Sequence, residues 1–394
     1  MWKCPSTWLS ENPLEDRDET LKTVLKPLSN RQPDFNQLRT ALFCGQPDYV
    51  PALELFHDLE VKEAFLGRPV RSVADDIEFH YLAGYDYYST WVVFREIEQK
   101  VAQVINKRAT LNNSPYDNVR SRHWSPDRGG IITSLKEFEA FPWPEPGKGS
   151  LGLGGSGLER LPFDEAVNQI TANLPEGMGL ILCTDGIFER FTKDLMGYET
   201  FCFKLADEPE LIWKMFARIG ALWLEIYEKV AAMPQVGAVW LADDIAYGQG
   251  LLFSPQIMRK HLFPWYRRIG EAAARYHKPL LFHSDGNLRP ILEDLIACGV
   301  KALQPIEPKG MDITSLKRDY NGRLCLVGNI DLGSTLTLGT PEEVRGEVRQ
   351  HIRDLAPGGG YCVGSSNSVT NYVPLPNFKA MLEATFEYGN YPIQ

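Results

Sequence analysis

Eight short apolar runs, each ending in polar or acidic residues and separated by helix-length segments, constrain the fold of this 394-residue chain most. They are Tyr49–Phe56, Asp86–Phe94, GMGLILCTDG, VGAVWLADD, PLLFHSDG, KALQPIE, RLCLVGNID and GGYCVGSSN. Nearly all are continuous in hydrophobicity rather than alternating, as expected of parallel strands covered on both faces. Between them lie amphipathic stretches with helix signals, such as Ser254-Pro255 opening one and Thr340 with Glu343 three residues on. Eight such units predict an α/β fold closed as a (β/α)8 barrel. An open doubly wound sheet is the competitor. It would need a glycine fingerprint loop and one switch point, whereas here polar groups follow all eight runs.

The barrel is expected over residues 37–391, preceded by a polar arm at 1–36 and interrupted after the second strand by an insertion at 95–176. The insertion holds the proline-rich FEAFPWPEP and the glycine run LGLGGSG, which no Lys-Ser/Thr pair follows, so no phosphate loop is expected. It reads as an excursion over the sheet edge, or as a lid carrying Trp124 and Arg128.

A formal charge of -10 and the lack of a dense basic block argue against a nucleic-acid surface. The seven cysteines show no CxxC spacing, which suits a reducing compartment. With no apolar run of 18 residues and no leader-like start, a cytoplasmic chain without membrane contact is expected.

A barrel's chemistry sits at the C-terminal ends of its strands. That rim is expected to present Glu54, His57, Tyr88, Asp185, Asp243, Asp244, His283, Asp285, Glu307, Asn329 and Asn367. His283 and Asp285 stand two apart on one extended segment, so both can face the mouth. His283, Asp285, Asp243 and Glu307 are expected to converge as the catalytic group. Glu54, His57, Tyr88, Asp185, Asp244, Asn329 and Asn367 would line the substrate. One imidazole among carboxylates suits a divalent metal, zinc or another, with His283, Asp285 and Glu307 as ligands. The same groups could instead bind a cationic or hydroxylated ligand without metal. His283 could also be a rim histidine satisfied by Glu307 or Asp244, and one member of the Asp243-Asp244 pair could serve as a cap.

The motifs PDYVP, AGYDY, GIFERFTKDLMGYETF, ADDIAYGQGLLFSPQIMRKHLFPWYRRI, PLLFHSDGN, GRLCLVGNID and NFKAMLEATFEYGNY give the chain its resemblance to a known group. It resembles the uroporphyrinogen decarboxylase superfamily over residues 37–391, nearest the branch of corrinoid-dependent methyltransferases. Authentic porphyrinogen decarboxylases of that family carry an arginine-rich RQAGR segment and an FSDIL segment. Here the matching stretches read ELFHDLE and STWVVFR, without the arginines or the aspartate. The methyltransferases hold zinc by a histidine and two cysteines. This chain keeps the histidine as His283 but places Asp285 and Ser366 where the cysteines would fall. The resemblance therefore implies a harder, oxygen-rich site or none.

The expected function is methyl transfer from a small methylated, methoxy-type substrate to a corrinoid carried by a partner protein, in a homodimer. The alternatives are a decarboxylase acting on a smaller substrate, with Arg95, Arg128 or Arg289 to hold its carboxylate, and a non-catalytic binding protein.

Overall fold

A computed structural model describes residues 26–112, 130–154 and 160–394. Most of the expected arm, and the expected lid residues Trp124 and Arg128, lie outside the described residues. Eleven strands are found among the described residues. They are β1 (Tyr87–Phe94), β2 (Leu151–Gly154), β3 (Leu161–Pro162), β4 (Gly179–Asp185), β5 (Val236–Ala242), β6 (Ala246–Tyr247), β7 (Gly250–Leu251), β8 (Leu280–His283), β9 (Val300–Gln304), β10 (Cys325–Val327) and β11 (Tyr361–Cys362).

Seven of them form a parallel series in the order β1-β4-β5-β8-β9-β10-β11. The eighth apolar run, at 49–57, closes the ring by another route. It pairs in parallel with the β11 side through Ala52–Val363 and His57–Val369. On its other side Tyr87 replaces a ladder: its hydroxyl accepts from Glu54 N at 2.8 Å and donates to Glu54 O at 2.7 Å. Near the rim, β2 takes the edge of β1, with Trp91 opposite Gly154 and Phe94 opposite Leu151, antiparallel. The expected first strand therefore exists as bridges rather than a continuous ladder, because Pro51 has no N–H to give and the insertion occupies the upper edge of β1.

The opposite end of the barrel is plugged by Phe35, which opens the helix Phe35–Leu42 behind an Asp34 cap. Its ring lies on Gly179 of β4 and Gly237 of β5, where a Cβ would sit 2.2 Å from ring carbons. Two strand glycines thus serve close approach, not flexibility.

Helices cover the barrel as their caps predict. Thr340 and Glu343 form a reciprocal capping box at the start of Pro341–Leu355, and Ser72 and Asp75 form another before Val73–Ala83. The run after Ser254 is helical but widens into a π turn at Met258–Leu262. Pro264 follows at once; lacking an N–H and crowding the preceding turn, it forbids a regular α ladder there. Among the described residues no helix is long and apolar enough to cross a membrane.

Candidate active site

Ala242 pairs with His283 across β5 and β8, and His283 pairs with Gln304 across β8 and β9. These three side chains therefore share the face of the sheet that lines the barrel. Alternation then puts Asp243 on the outer face and returns Asp244 to the mouth.

The geometry follows that alternation. Asp244, His283 and Asp285 offer one ligand atom each, all within 4.8 Å of one another. His283 Nε2 lies 3.6 Å from Asp244 Oδ1 and 3.7 Å from Asp285 Oδ1. Its Nδ1 lies 2.5 Å from Gln304 Oε1, and Gln304 Nε2 donates to Asn367 O at 2.6 Å. The second bond fixes the amide, so Gln304 Oε1 is an acceptor and His283 Nδ1 carries the proton. The Nε2 lone pair is left facing two carboxylate oxygens.

The carboxylates are held as firmly as the imidazole. Asp285 N donates to Asp244 Oδ1 at 2.9 Å, and Gly286 N donates to Glu307 Oε2 at 2.9 Å. Asn367 Nδ2 donates to Asp285 Oδ1 at 2.8 Å. Gly286 has a φ of +85°, and a Cβ there would meet the Tyr247 backbone at 2.4 Å. Only glycine fits between the β6–β7 hairpin and the site. Burial, with Asp244 and Glu307 beside it, pushes the Asp285 carboxyl up to about 7, against the pull of His283.

Of the expected catalytic four, His283, Asp285 and Glu307 meet at the mouth and Asp243 does not. Asp243 is fully buried on the outer face. Its Oδ2 accepts from Phe188 N at 3.0 Å and from the Tyr266 hydroxyl at 2.5 Å, and its Oδ1 accepts from Glu189 N at 2.7 Å. It caps the turn Ile187–Glu189 that follows β4, and Asp244 takes the place expected for it at the site. Of the residues expected as metal ligands, His283 and Asp285 lie together with Asp244, while Glu307 holds Gly286 N. His283 is satisfied through Gln304, not through Glu307 or Asp244. We expect Asp243→Ala to destabilise the fold by about 2–4 kcal/mol in urea denaturation, since it orphans two buried amides and a phenol.

The expected substrate-lining residues divide. Asn367 joins the site. Asp185 is paired with Arg190, which also reaches Asp194 at 2.7 Å and Glu98 at 2.8 Å. Glu54 is buried, with Ser365 N at 2.5 Å and Ser365 Oγ at 2.8 Å, and burial pushes its carboxyl up to about 8. His57 is packed among Phe79, His80 and Phe378 with its Nε2 2.9 Å from the Tyr85 hydroxyl, and burial keeps it neutral. Tyr88 turns outward to Asp76 at 3.3 Å, and Asn329 holds Ile306 O at 2.7 Å and His351 at 2.9 Å. His57, Tyr88 and Asn329 are therefore internal ties rather than substrate contacts.

Two residues were missed by sequence reasoning. Gln304 is the only uncharged polar residue inside its apolar run, a signal that was present. Glu189 follows β4 and pairs with Lys193 at 2.7 Å. Burial and the nearby Asp244 push its carboxyl up to about 8.

Beside the triad opens a cavity of about 590 Å³, whose wall includes Asp285, Glu307, Asp331, Ser366 and Asn367. A barrel with a nitrogen-and-oxygen triad at its C-terminal rim is the class of protein that fold and site define. The family model for uroporphyrinogen decarboxylase (URO-D) matches residues 159–388, more than half of the chain. The chain belongs to the URO-D family. A uroporphyrinogen decarboxylase from Alkalilimnicola ehrlichii is 27% identical over 192 residues, 46% of this chain and 48% of the relative. The match thus spans about half the length of that curated relative. A solved methyltransferase from Methanosarcina mazei superposes with a TM-score of 0.59 at 18% identity, covering 92% of this chain and 99% of that one. That likeness is one of fold.

Proposed function

We propose that the chain is a methyl-transferring enzyme of the URO-D family whose rim triad, Asp244, His283 and Asp285, holds a divalent cation such as zinc. The observation that carries this reading is the Nε2 lone pair of His283 aimed at two carboxylate oxygens 3.6 and 3.7 Å away. Those separations are too long for hydrogen bonds. They suit atoms around one cation, since bonds of ~2.0–2.2 Å at tetrahedral to octahedral angles space ligands ~3.0–3.6 Å apart. The donor set of one imidazole and two carboxylates fits zinc or another first-row metal better than magnesium. A bound cation would supply Lewis acidity toward a substrate oxygen.

The protein's own groups do the rest. Gln304 keeps His283 in the tautomer that presents Nε2, and the amides of Asp285 and Gly286 hold Asp244 and Glu307 in place. Glu307, beside the triad, is placed to exchange a proton with an oxygen leaving group as its methyl departs. The methyl acceptor in this reading is a corrinoid on a partner protein, and the donor a small methoxylated compound.

The absence of the arginine-rich segment at Glu54–Glu60 separates this reading from porphyrinogen decarboxylation. It is tested with chelator-free protein, by metal analysis and by methyl transfer from a methoxyarene to free cob(I)alamin. About one zinc per chain and zinc-dependent methylcobalamin are expected. Metal-free protein that cannot be loaded, or loaded protein without methyl transfer, would sink it.

A further inference from the structure

Beyond the triad, the cavity itself carries information about what enters it. Its volume of about 590 Å³ lies in the range of sites for ring-sized ligands and far exceeds what a one-carbon substrate fills. Pro308, Leu332, Leu338 and Tyr372 form an apolar part of its wall. Leu338 is 80% exposed and Tyr372 54% exposed, although a folded chain gains by covering such groups. Both stand where a ligand would cover them.

The charged groups of the same wall argue about the ligand's charge. Three carboxylates, Asp285, Glu307 and Asp331, face a single ammonium, Lys309, so an anion meets net repulsion. Each carboxylate already accepts a proton from within the chain. Asp331 takes Gly333 N at 2.8 Å and the Ser334 hydroxyl at 2.6 Å, Glu307 takes Gly286 N, and Asp285 takes Asn367 Nδ2. Each keeps its charge and further lone pairs, so the wall disfavours an anion while leaving a neutral or cationic ligand acceptable. As donors toward a ligand oxygen the wall includes the Lys309 ammonium and the Ser366 hydroxyl, whose oxygen already accepts from Leu332 N at 2.9 Å.

We infer that this cavity takes a non-anionic single-ring molecule bearing an ether or hydroxyl oxygen. Its ring lies against Leu332, Leu338 and Tyr372, and its oxygen turns toward the Ser366 hydroxyl at the end of the cavity nearest the triad. The inference rests on the reading of the triad as the reacting end of the site and names the class of molecule that reaches it.

Calorimetric titration of the full chain, with and without zinc, tests it with 2-methoxyphenol, 4-methoxybenzoate, 4-methoxybenzylamine and methanol as probes. The neutral ring is expected to bind one per chain, at least tenfold more tightly than the benzoate and methanol, and the amine at least tenfold more tightly than the benzoate. Leu338→Asp and Tyr372→Ser should each weaken it at least tenfold, whereas Phe203→Asp, at an exposed site outside the cavity wall, should not. Tightest binding by the benzoate or methanol would overturn the inference, as would unchanged affinity in both cavity variants. Binding as expected without methyl transfer would sink the proposed reaction alone. Methyl transfer from a methoxylated compound without a ring, such as dimethyl ether, with no ring binding, would sink this inference alone.

Discussion

Replacing His283 with alanine is expected to abolish stoichiometric zinc binding while leaving the barrel folded. The imidazole is the one nitrogen donor of the triad, and the two carboxylates that remain, Asp244 and Asp285, form a weak hard-ion site. Loss of at least 100-fold in zinc affinity is the expected reading in a competition titration against a chelating dye. The cost to stability is smaller, because the side chain sits at the mouth and its one strong tie is the bond to Gln304 Oε1. Leaving that acceptor unpaired costs about 1–2 kcal/mol. The comparison must be made with both proteins in chelator, since a metal that binds only the folded state adds stability of its own. Unchanged zinc affinity in the folded variant would show that the triad is not the metal site. A Gln304→Leu variant gives a finer test. It removes the acceptor that fixes the tautomer, and a tenfold loss of affinity with His283 still present is expected if that bond orients the ring.

That test depends on a site only half legible in the sequence. The (β/α)8 frame was readable because buried parallel strands are unbroken in hydrophobicity, and six of the eight apolar runs became strands that end within about two residues of an acid, a histidine or an amide. The pair Asp243-Asp244 shows where such reading stops. One residue caps a neighbouring turn and the other faces the mouth, and the choice depends on the strand's alternation relative to β8, fixed by the pairing of Ala242 with His283. No local pattern carries that register. His57 and Tyr88 were misplaced for a related reason. His57 ends an apolar run, but the 49–57 segment bends away from a regular ladder, whereas Tyr88 is the second residue of β1 and so lies at the strand's N-terminal end, away from the rim. Its place within the helix Val73–Ala83 would suit His80 as a surface or edge group. It is 2% exposed, because its helix packs a second polar stripe, Asp76 with Lys62, against the barrel. Tertiary packing, not helix periodicity, decided that burial.

The buried carboxyl of Glu54 should make the barrel's stability depend on pH in a direction opposite to that of an ordinary ion pair. Burial is the largest influence on it and raises its pKa to about 8, while the two bonds from Ser365 pull the other way. The unfolded chain releases this proton near ~4.3. Between those values the folded state binds more protons than the unfolded one, so this group lowers stability as pH rises from about 4.3 toward 8. The full separation corresponds to a loss of about 5 kcal/mol, most of it within that window. Glu54→Gln removes the titration while keeping an acceptor for Ser365 N and a donor for Ser365 Oγ. The variant is expected to gain about 3–4 kcal/mol more over the native chain at pH 8 than at pH 5. Urea denaturation at the two pH values, in chelator so that metal binding does not contribute, measures that difference. An equal gain or loss at both pH values would mean that Glu54 stays ionised at the seam, with Ser365 N and Oγ sufficient to hold its charge. The position of the seam gives the result a wider meaning. Glu54 O and N are the groups through which Tyr87 closes the barrel, so a proton on this side chain stabilises the place where the ring of strands has no ladder of its own.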